Sequence, residues 1–180
     1  MYTLEVFISS NVLSEVSGKR LIVKKVNKTN AMRILDSLNI EYDHIEYSVD
    51  DGKIDGISVA DKVGEKREIV FKTLVTIGSD KELYVFVIPV EFELDLKKAS
   101  KASSQKNIQM LPLKELTKNT GYVHGGCSPI GMKKQFKTFI DETATLNEKI
   151  VVSAGQVGLQ IKLSSSNLAE CVNAEFVDLI

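Results

Sequence analysis

Ile69-Val70-Phe71-Lys72-Thr73-Leu74-Val75-Thr76-Ile77-Gly78-Ser79-Asp80-Lys81-Glu82-Leu83-Tyr84-Val85-Phe86-Val87-Ile88-Pro89 is the stretch that decides the fold class. β-branched and aromatic residues fill 69–77 and 83–89, and Gly78 to Lys81 carries turn chemistry, so two consecutive strands joined by a hairpin are predicted. A doubly wound parallel sheet would put a crossover helix between successive strands. Strands that follow one another directly, with helical segments elsewhere, predict a mixed α/β domain built on a single curved sheet. Lys72 interrupts the apolar run, and alternation puts it on the face of Val70 and Leu74. A lysine there either lays its stem along the sheet with its head in water or points into a cleft.

Outward from this hairpin the pattern continues. Thr29 or Asn30 can cap a helix running to about Leu38, with Met32, Leu35 and Leu38 on one side. Tyr42 to Tyr47 alternates as a strand, and Asp50-Asp51-Gly52 breaks it. Ser58 is the expected cap of a short helix through Val63, ended by Gly64. Leu94 to Ser103 reads as a helix, and Pro112 suits the first turn of another that stops before Gly121. Phe136 to Ile140, Lys149 to Ser153 and Leu159 to Leu163 read as strands. A last helix, capped within Ser164 to Ser166, runs to about Cys171, and Ala174 to Val177 can close as a strand. Residues 1–26 fit less well. Tyr2 to Ile8 and Arg20 to Val23 are strand candidates there, or the segment is an extension outside the main fold. The expected division is therefore an N-terminal extension, 1–26, and one domain, 27–180.

Bulk properties narrow the function classes. At 180 residues with a net charge of −1, the chain fits one domain and has no general attraction for polyanions. A nucleic-acid partner must then be held by local positive charge. Two cysteines, Cys127 and Cys171, make no disulfide framework, and a reducing cytoplasm is the default. No apolar run has the length of a membrane span, and Met1 to Val23 lacks the pattern of a signal peptide.

Chemistry concentrates in Gly121-Tyr122-Val123-His124-Gly125-Gly126-Cys127-Ser128-Pro129-Ile130-Gly131, followed by Lys133 and Lys134. Such a glycine cluster is either a plain turn-rich connection or a concavity of exposed N–H groups that holds an oxygen or an anion. His124 and Cys127 are three apart, but His44 and Cys171 lie elsewhere, and no zinc-type ligand set appears. No metal and no cofactor is expected. Cys127 and His124 could form a nucleophilic pair, or Cys127 is a small apolar residue in a tight loop. The chain carries no phosphate-binding Gly-x-x-x-x-Gly-Lys-Ser/Thr sequence.

Taken in order, Phe71-Lys72-Thr73-Leu74-Val75, Leu94-Asp95-Leu96-Lys97-Lys98, Thr120 to Lys134, Val152-Ser153-Ala154-Gly155 and Gly158-Leu159 resemble the YbaK family of free-standing aminoacyl-tRNA deacylases. That family is related to the editing domain inserted in bacterial prolyl-tRNA synthetases. The resemblance spans about Lys28 to Leu179. It implies a mixed sheet curled into a partly open barrel with flanking helices. It also implies removal of cysteine from Cys-tRNA(Pro), an aminoacyl-tRNA partner, prolyl-tRNA synthetase as a further partner, and a cytoplasmic location. Alternatives are a deacylase for Ala- or Ser/Thr-charged tRNA and a non-catalytic tRNA- or synthetase-binding regulator.

By resemblance, Lys72 is the family's essential lysine, placed to hold the 3′-terminal phosphate or adenosine end. Gly125 matches the glycine whose N–H contacts the substrate carbonyl. Tyr47, Gly126, Ser128, Ser153, Gly155 and Gln160 fall at substrate-pocket positions, with Gly125 and Gly126 expected to present their N–H groups to the ester. The family's route is substrate-assisted: the thiol of the esterified cysteine attacks its own carbonyl. Two departures stand out. Gln160 replaces an acidic residue, and Gln156 and Val157 replace a basic pair.

Overall fold

The computed structural model describes residues 27–180. The strand candidates Tyr2 to Ile8 and Arg20 to Val23 lie outside the described residues. Helix α1, Asn30–Ser37, starts where Thr29 Oγ1 accepts the Met32 N–H at 3.2 Å, which satisfies one of the donors a helix start leaves free. Its buried face is Ala31, Met32 and Leu35. Strand β1 is Tyr42–Glu46. Helix α2, Gly56–Val63, is capped by Asp55 rather than Ser58: the Asp55 carboxylate accepts the Ser58 N–H at 3.0 Å. A carboxylate at this end also meets the positive pole of the helix. Gly64, at φ 70°, ends α2 in the left-handed region that glycine occupies without strain.

The hairpin forms as predicted. β2, Phe71–Gly78, and β3, Leu83–Pro89, pair antiparallel from Phe71 opposite Pro89 to Ile77 opposite Leu83. Asp95 caps helix α3, Leu96–Ala102, by accepting the Lys97 and Lys98 N–H groups. Strand β4, Ile108–Met110, is too short to show a period of two and was not visible in the sequence pattern. Helix α4, Leu113–Thr120, ends at Gly121, φ 86°. Then come β5, Lys137–Asp141, β6, Lys149–Gln156, β7, Leu159–Ser164, α5, Ser165–Val172, and β8, Ala174–Val177.

The mixed α/β class holds, but the strands divide between two sheets instead of one curved sheet. The larger runs β4-β2-β3-β5-β8, antiparallel around β2 and parallel through β5. The smaller runs β1-β7-β6 and is antiparallel throughout. A parallel bridge between Val70 and Val151 joins them, and the arrangement stays open. Local alternation reports that a segment is a strand; it does not report which strand it pairs with.

The main core lies between the sheets under α1 and α5. It includes Leu35, Phe71, Val85, Val87, Ile140, Ile150, Val152, Ile161 and Leu168. β3 is buried on both faces: Val85 and Val87 point into this core, while Tyr84, Phe86 and Ile88 pack with Ala99, Phe139 and Leu179 on the other side. Phe86 and Phe139 stack with centroids 5.4 Å apart.

Candidate active site

The Val70–Val151 bridge sets the geometry. Its strands run parallel there, so two residues further along each come Lys72 on β2 and Ser153 on β6. Beyond Ser153, β6 bulges: its register against β7 shifts between Ser153 and Gln156. Gly155 adopts φ 93°, and its N–H donates to Ser153 Oγ at 3.2 Å. A bulge of this kind bends a strand and redirects its end.

The bulge meets the glycine loop through Tyr122. A Cβ on Gly155 would lie 2.7 Å from the Tyr122 ring, closer than real contacts allow. The ring is buried, and its hydroxyl donates to the Ile130 carbonyl at 2.6 Å, closing the loop across its base. Burial pushes the Tyr122 phenol up to about 12, so it stays a proton donor. Thr120 Oγ1 accepts the Tyr122 N–H at 3.0 Å. Sequence reasoning missed Tyr122, although an aromatic between two glycines was a signal that the loop wraps around something.

Gly125 and Gly126 differ in what they offer. Gly125, at φ 78°, has Ile54 packed where a side chain would be, 2.7 Å from its ideal Cβ. Among the described residues nothing accepts its N–H. Gly126 is buried against the backbone of Gln156 and Val157, and its N–H donates to the Val123 carbonyl at 3.1 Å. The loop therefore presents one of the two glycine amides, where two were expected. Ser128 is fully buried, and its hydroxyl accepts the Ile130 N–H at 3.2 Å, so it shapes the loop from within.

Tyr47 follows β1 and is tied to the β6–β7 turn by its N–H, which donates to the Gly158 carbonyl at 2.9 Å. Its ring is 8% exposed and its buried hydroxyl has no partner among the described residues. An unpaired buried hydroxyl costs on the order of 1–3 kcal/mol, a cost that persists where the group serves a ligand. Lys62, which sequence reasoning also missed, lies 5.9 Å over the Tyr47 ring and donates to Asp51 at 2.5 Å and to the Lys53 carbonyl at 2.7 Å. It fastens the 48–55 connection, and with it Ile54, against the loop. Gln160 is buried in β7, opposite Ser153 on β6 and Ile45 on β1. Lys72 keeps a quarter of its side chain exposed and pairs with Glu93 at 3.0 Å.

Four segments thus converge: the 121–131 loop, the β6 bulge, the 157–158 turn and the 47–55 connection, with Lys72 two residues beyond the bridge that joins the sheets. Where they meet, the Gly125 N–H and the Tyr47 hydroxyl are left without a partner among the described residues. Residues 56–171 match the family described as the aminoacyl-tRNA editing domain. The chain belongs to that family. A curated protein of Enterococcus faecalis named "Putative Cys-tRNA(Pro)/Cys-tRNA(Cys) deacylase EbsC" is 44% identical over 156 residues, which is 87% of this chain and 95% of that protein. Among solved structures, a candidate trans-editing enzyme for prolyl tRNA synthetase matches with a TM-score of 0.71 at 20% identity, over 83% of this chain and 96% of its own. A hypothetical protein matches with a TM-score of 0.77 at 16% identity, over 84% and 99%. These two show the shared editing-domain fold.

In this editing domain the Cys127–His124 pair is not made. His124 is exposed, and burial alone pushes the Cys127 thiol from 9.0 up to about 12. At neutral pH Cys127 is a packed thiol against the core, without thiolate character. Replacing Cys127 by alanine is expected to leave deacylation within about threefold of the parent, and the intact protein's Cys127 should resist iodoacetamide at pH 8; prompt alkylation with loss of activity would restore it as a nucleophile. The thiol's folded pKa is raised, so its contribution to stability is complete below about pH 9 and is lost as pH rises toward 12. Among the described residues no helix is long and apolar enough to cross a membrane.

Proposed function

We propose that the chain is a trans-acting deacylase that removes cysteine from mischarged tRNA(Pro). The 44% identity across 95% of a relative named for Cys-tRNA(Pro) and Cys-tRNA(Cys) carries this reading. The editing domain is assigned to residues 27–180, with 1–26 as an extension, acting in the cytoplasm where charged tRNA is used. Prolyl-tRNA synthetase is the partner that would hand over the mischarged tRNA.

In the proposed mechanism Lys72 holds the phosphate of the terminal nucleotide and fixes the acceptor end. The Gly125 N–H then faces the ester carbonyl, and Tyr47, Ser153, Gly155 and Gln160 bound the aminoacyl group. The substrate's own thiol attacks that carbonyl. A C–S bond forms, the ester C–O bond breaks, and the thiol's proton ends on the ribose hydroxyl that leaves. A neutral carbonyl becomes an oxyanion on the way, and a fixed donor stabilises that charge more than it stabilises the ground state. Holding thiol and carbonyl in one small ring supplies the remaining advantage as proximity. This chemistry needs no enzymic base or nucleophile, which accords with a protonated Cys127 and an exposed His124.

A panel of tRNA(Pro) charged with cysteine, alanine, serine or proline, together with Cys-tRNA(Cys), tests the reading. Release of cysteine should exceed release of the other amino acids from tRNA(Pro) by at least about 100-fold, because a serine hydroxyl is far less nucleophilic than a thiol. Preferential release of alanine or serine would transfer the assignment to those esters. Retained tRNA binding with no release from any of them would make the protein a non-catalytic binder.

A further inference from the structure

Lys72 has a built-in competitor. Its side chain is three-quarters buried, while that of Glu93, its partner at 3.0 Å, is 91% exposed. Glu93 lies on the irregular segment between β3 and α3, held at one end by the Phe92 N–H donating to the Pro89 carbonyl and at the other by the Asp95 cap. The carboxylate thus reaches the lysine from the solvent side. Among the described residues it is the only acceptor within hydrogen-bond distance of the Lys72 ammonium.

We infer that Glu93 is an exchangeable counterion that occupies the anion position on Lys72 and is displaced by a phosphate of the incoming tRNA. The inference rests on the deacylase reading for the identity of that anion. Two observations give it direction. An exposed carboxylate returns to water at little cost, since exposed ion pairs contribute little to stability. The lysine, with its stem largely covered, gains more from keeping an anionic partner than the freely exposed glutamate does. Glu93 supplies that partner in the free protein, and its exposure lets a phosphodiester of the acceptor end take over. Binding is then an exchange of one anion for another, and Glu93 sets how tightly the acceptor end is held.

The test compares Glu93→Gln with Glu91→Gln, a neighbouring exposed carboxylate whose neutralisation changes the net charge equally. Binding of uncharged tRNA ending in CCA, measured by filter retention at several salt concentrations, needs no catalysis. Glu93→Gln should tighten the Kd about two- to fivefold at low salt, with KM for Cys-tRNA(Pro) falling in step, and Glu91→Gln should shift it by less than half as much. In a Lys72→Met background the Glu93→Gln gain should vanish. Equal gains from both glutamates, or a gain that persists without Lys72, would reduce the effect to overall charge and overturn the proposal. If the charged-tRNA panel fails while these binding differences hold, the deacylase reading falls and the counterion role stands.

Discussion

Lys72→Met is expected to lower kcat/KM for cysteine release from Cys-tRNA(Pro) by about 10²–10³-fold, the range seen when a charged contact that orients the reacting group is removed. The lysine is three-quarters buried at the end of the β2–β3 pairing, next to the seam where the two sheets meet at Val70 and Val151. Methionine keeps the apolar stem and removes only the charge, so the fold should hold, with a melting temperature within a few degrees of the parent. Lys72→Arg is expected to recover little. Its planar fork is wider than an ammonium and demands a different donor direction, so a site built around a point charge does not accept it as equivalent. Single-turnover release of radiolabelled cysteine from charged tRNA measures both variants. Wild-type rates in Lys72→Met would remove the lysine from the site and leave Gly125 as its remaining anchor.

The hairpin was legible because its information is local. Two β-prone runs flank four turn residues, and the register from Phe71 opposite Pro89 to Ile77 opposite Leu83 follows from that spacing alone. Helix ends were legible for the same reason, apart from α3, which starts at Leu96 behind the Asp95 cap rather than at Leu94, and α2, where Asp55 and Ser58 are both good caps and only the chain's approach selects Asp55. The division into two sheets was not legible. It depends on β6 choosing β7 as partner while touching β2 at a single bridge, and that choice is made by packing across more than 70 residues of chain. The same limit applies within the site. Glycine content marked 121–131 as unusual, yet only the folded chain shows that the Gly126 amide is taken by Val123 while nothing described takes that of Gly125. Tyr122 and Lys62 were overlooked because their roles lie in what they brace, the β6 bulge and the 48–55 connection, and neither neighbour is near in sequence.

Gly125 and Gly155 allow a chemical glycine to be told from a structural one. Both have positive φ, 78° and 93°, and in both an added Cβ would come within 2.7 Å of another side chain. What each would strike differs. At Gly125 the closest obstacle is the Cδ1 tip of Ile54, which can rotate, while Ile54 Cβ and Cγ1 at 3.3 Å need give only a few tenths of an ångström, so Gly125→Ala should cost about 1–2 kcal/mol, chiefly backbone strain, and leave the fold intact. At Gly155 the obstacle is the ring of Tyr122, buried and tied to Ile130, which has no direction in which to yield. Gly155→Ala should therefore cost about 2–4 kcal/mol and depress the melting temperature by roughly 5–15 °C. Activity should rank the other way once each variant is assayed well below its own melting temperature. Gly125→Ala displaces the amide proposed to face the ester carbonyl, and loss of one such donor lowers the rate by about 10²–10³-fold. Gly155→Ala shifts a support behind that amide and should lower the rate by about tenfold. Thermal melts and single-turnover release on the same preparations decide the matter. A Gly125→Ala enzyme that melts early yet cleaves at the parental rate would mean that the loop only supports the fold, and that the oxyanion is stabilised by some other group.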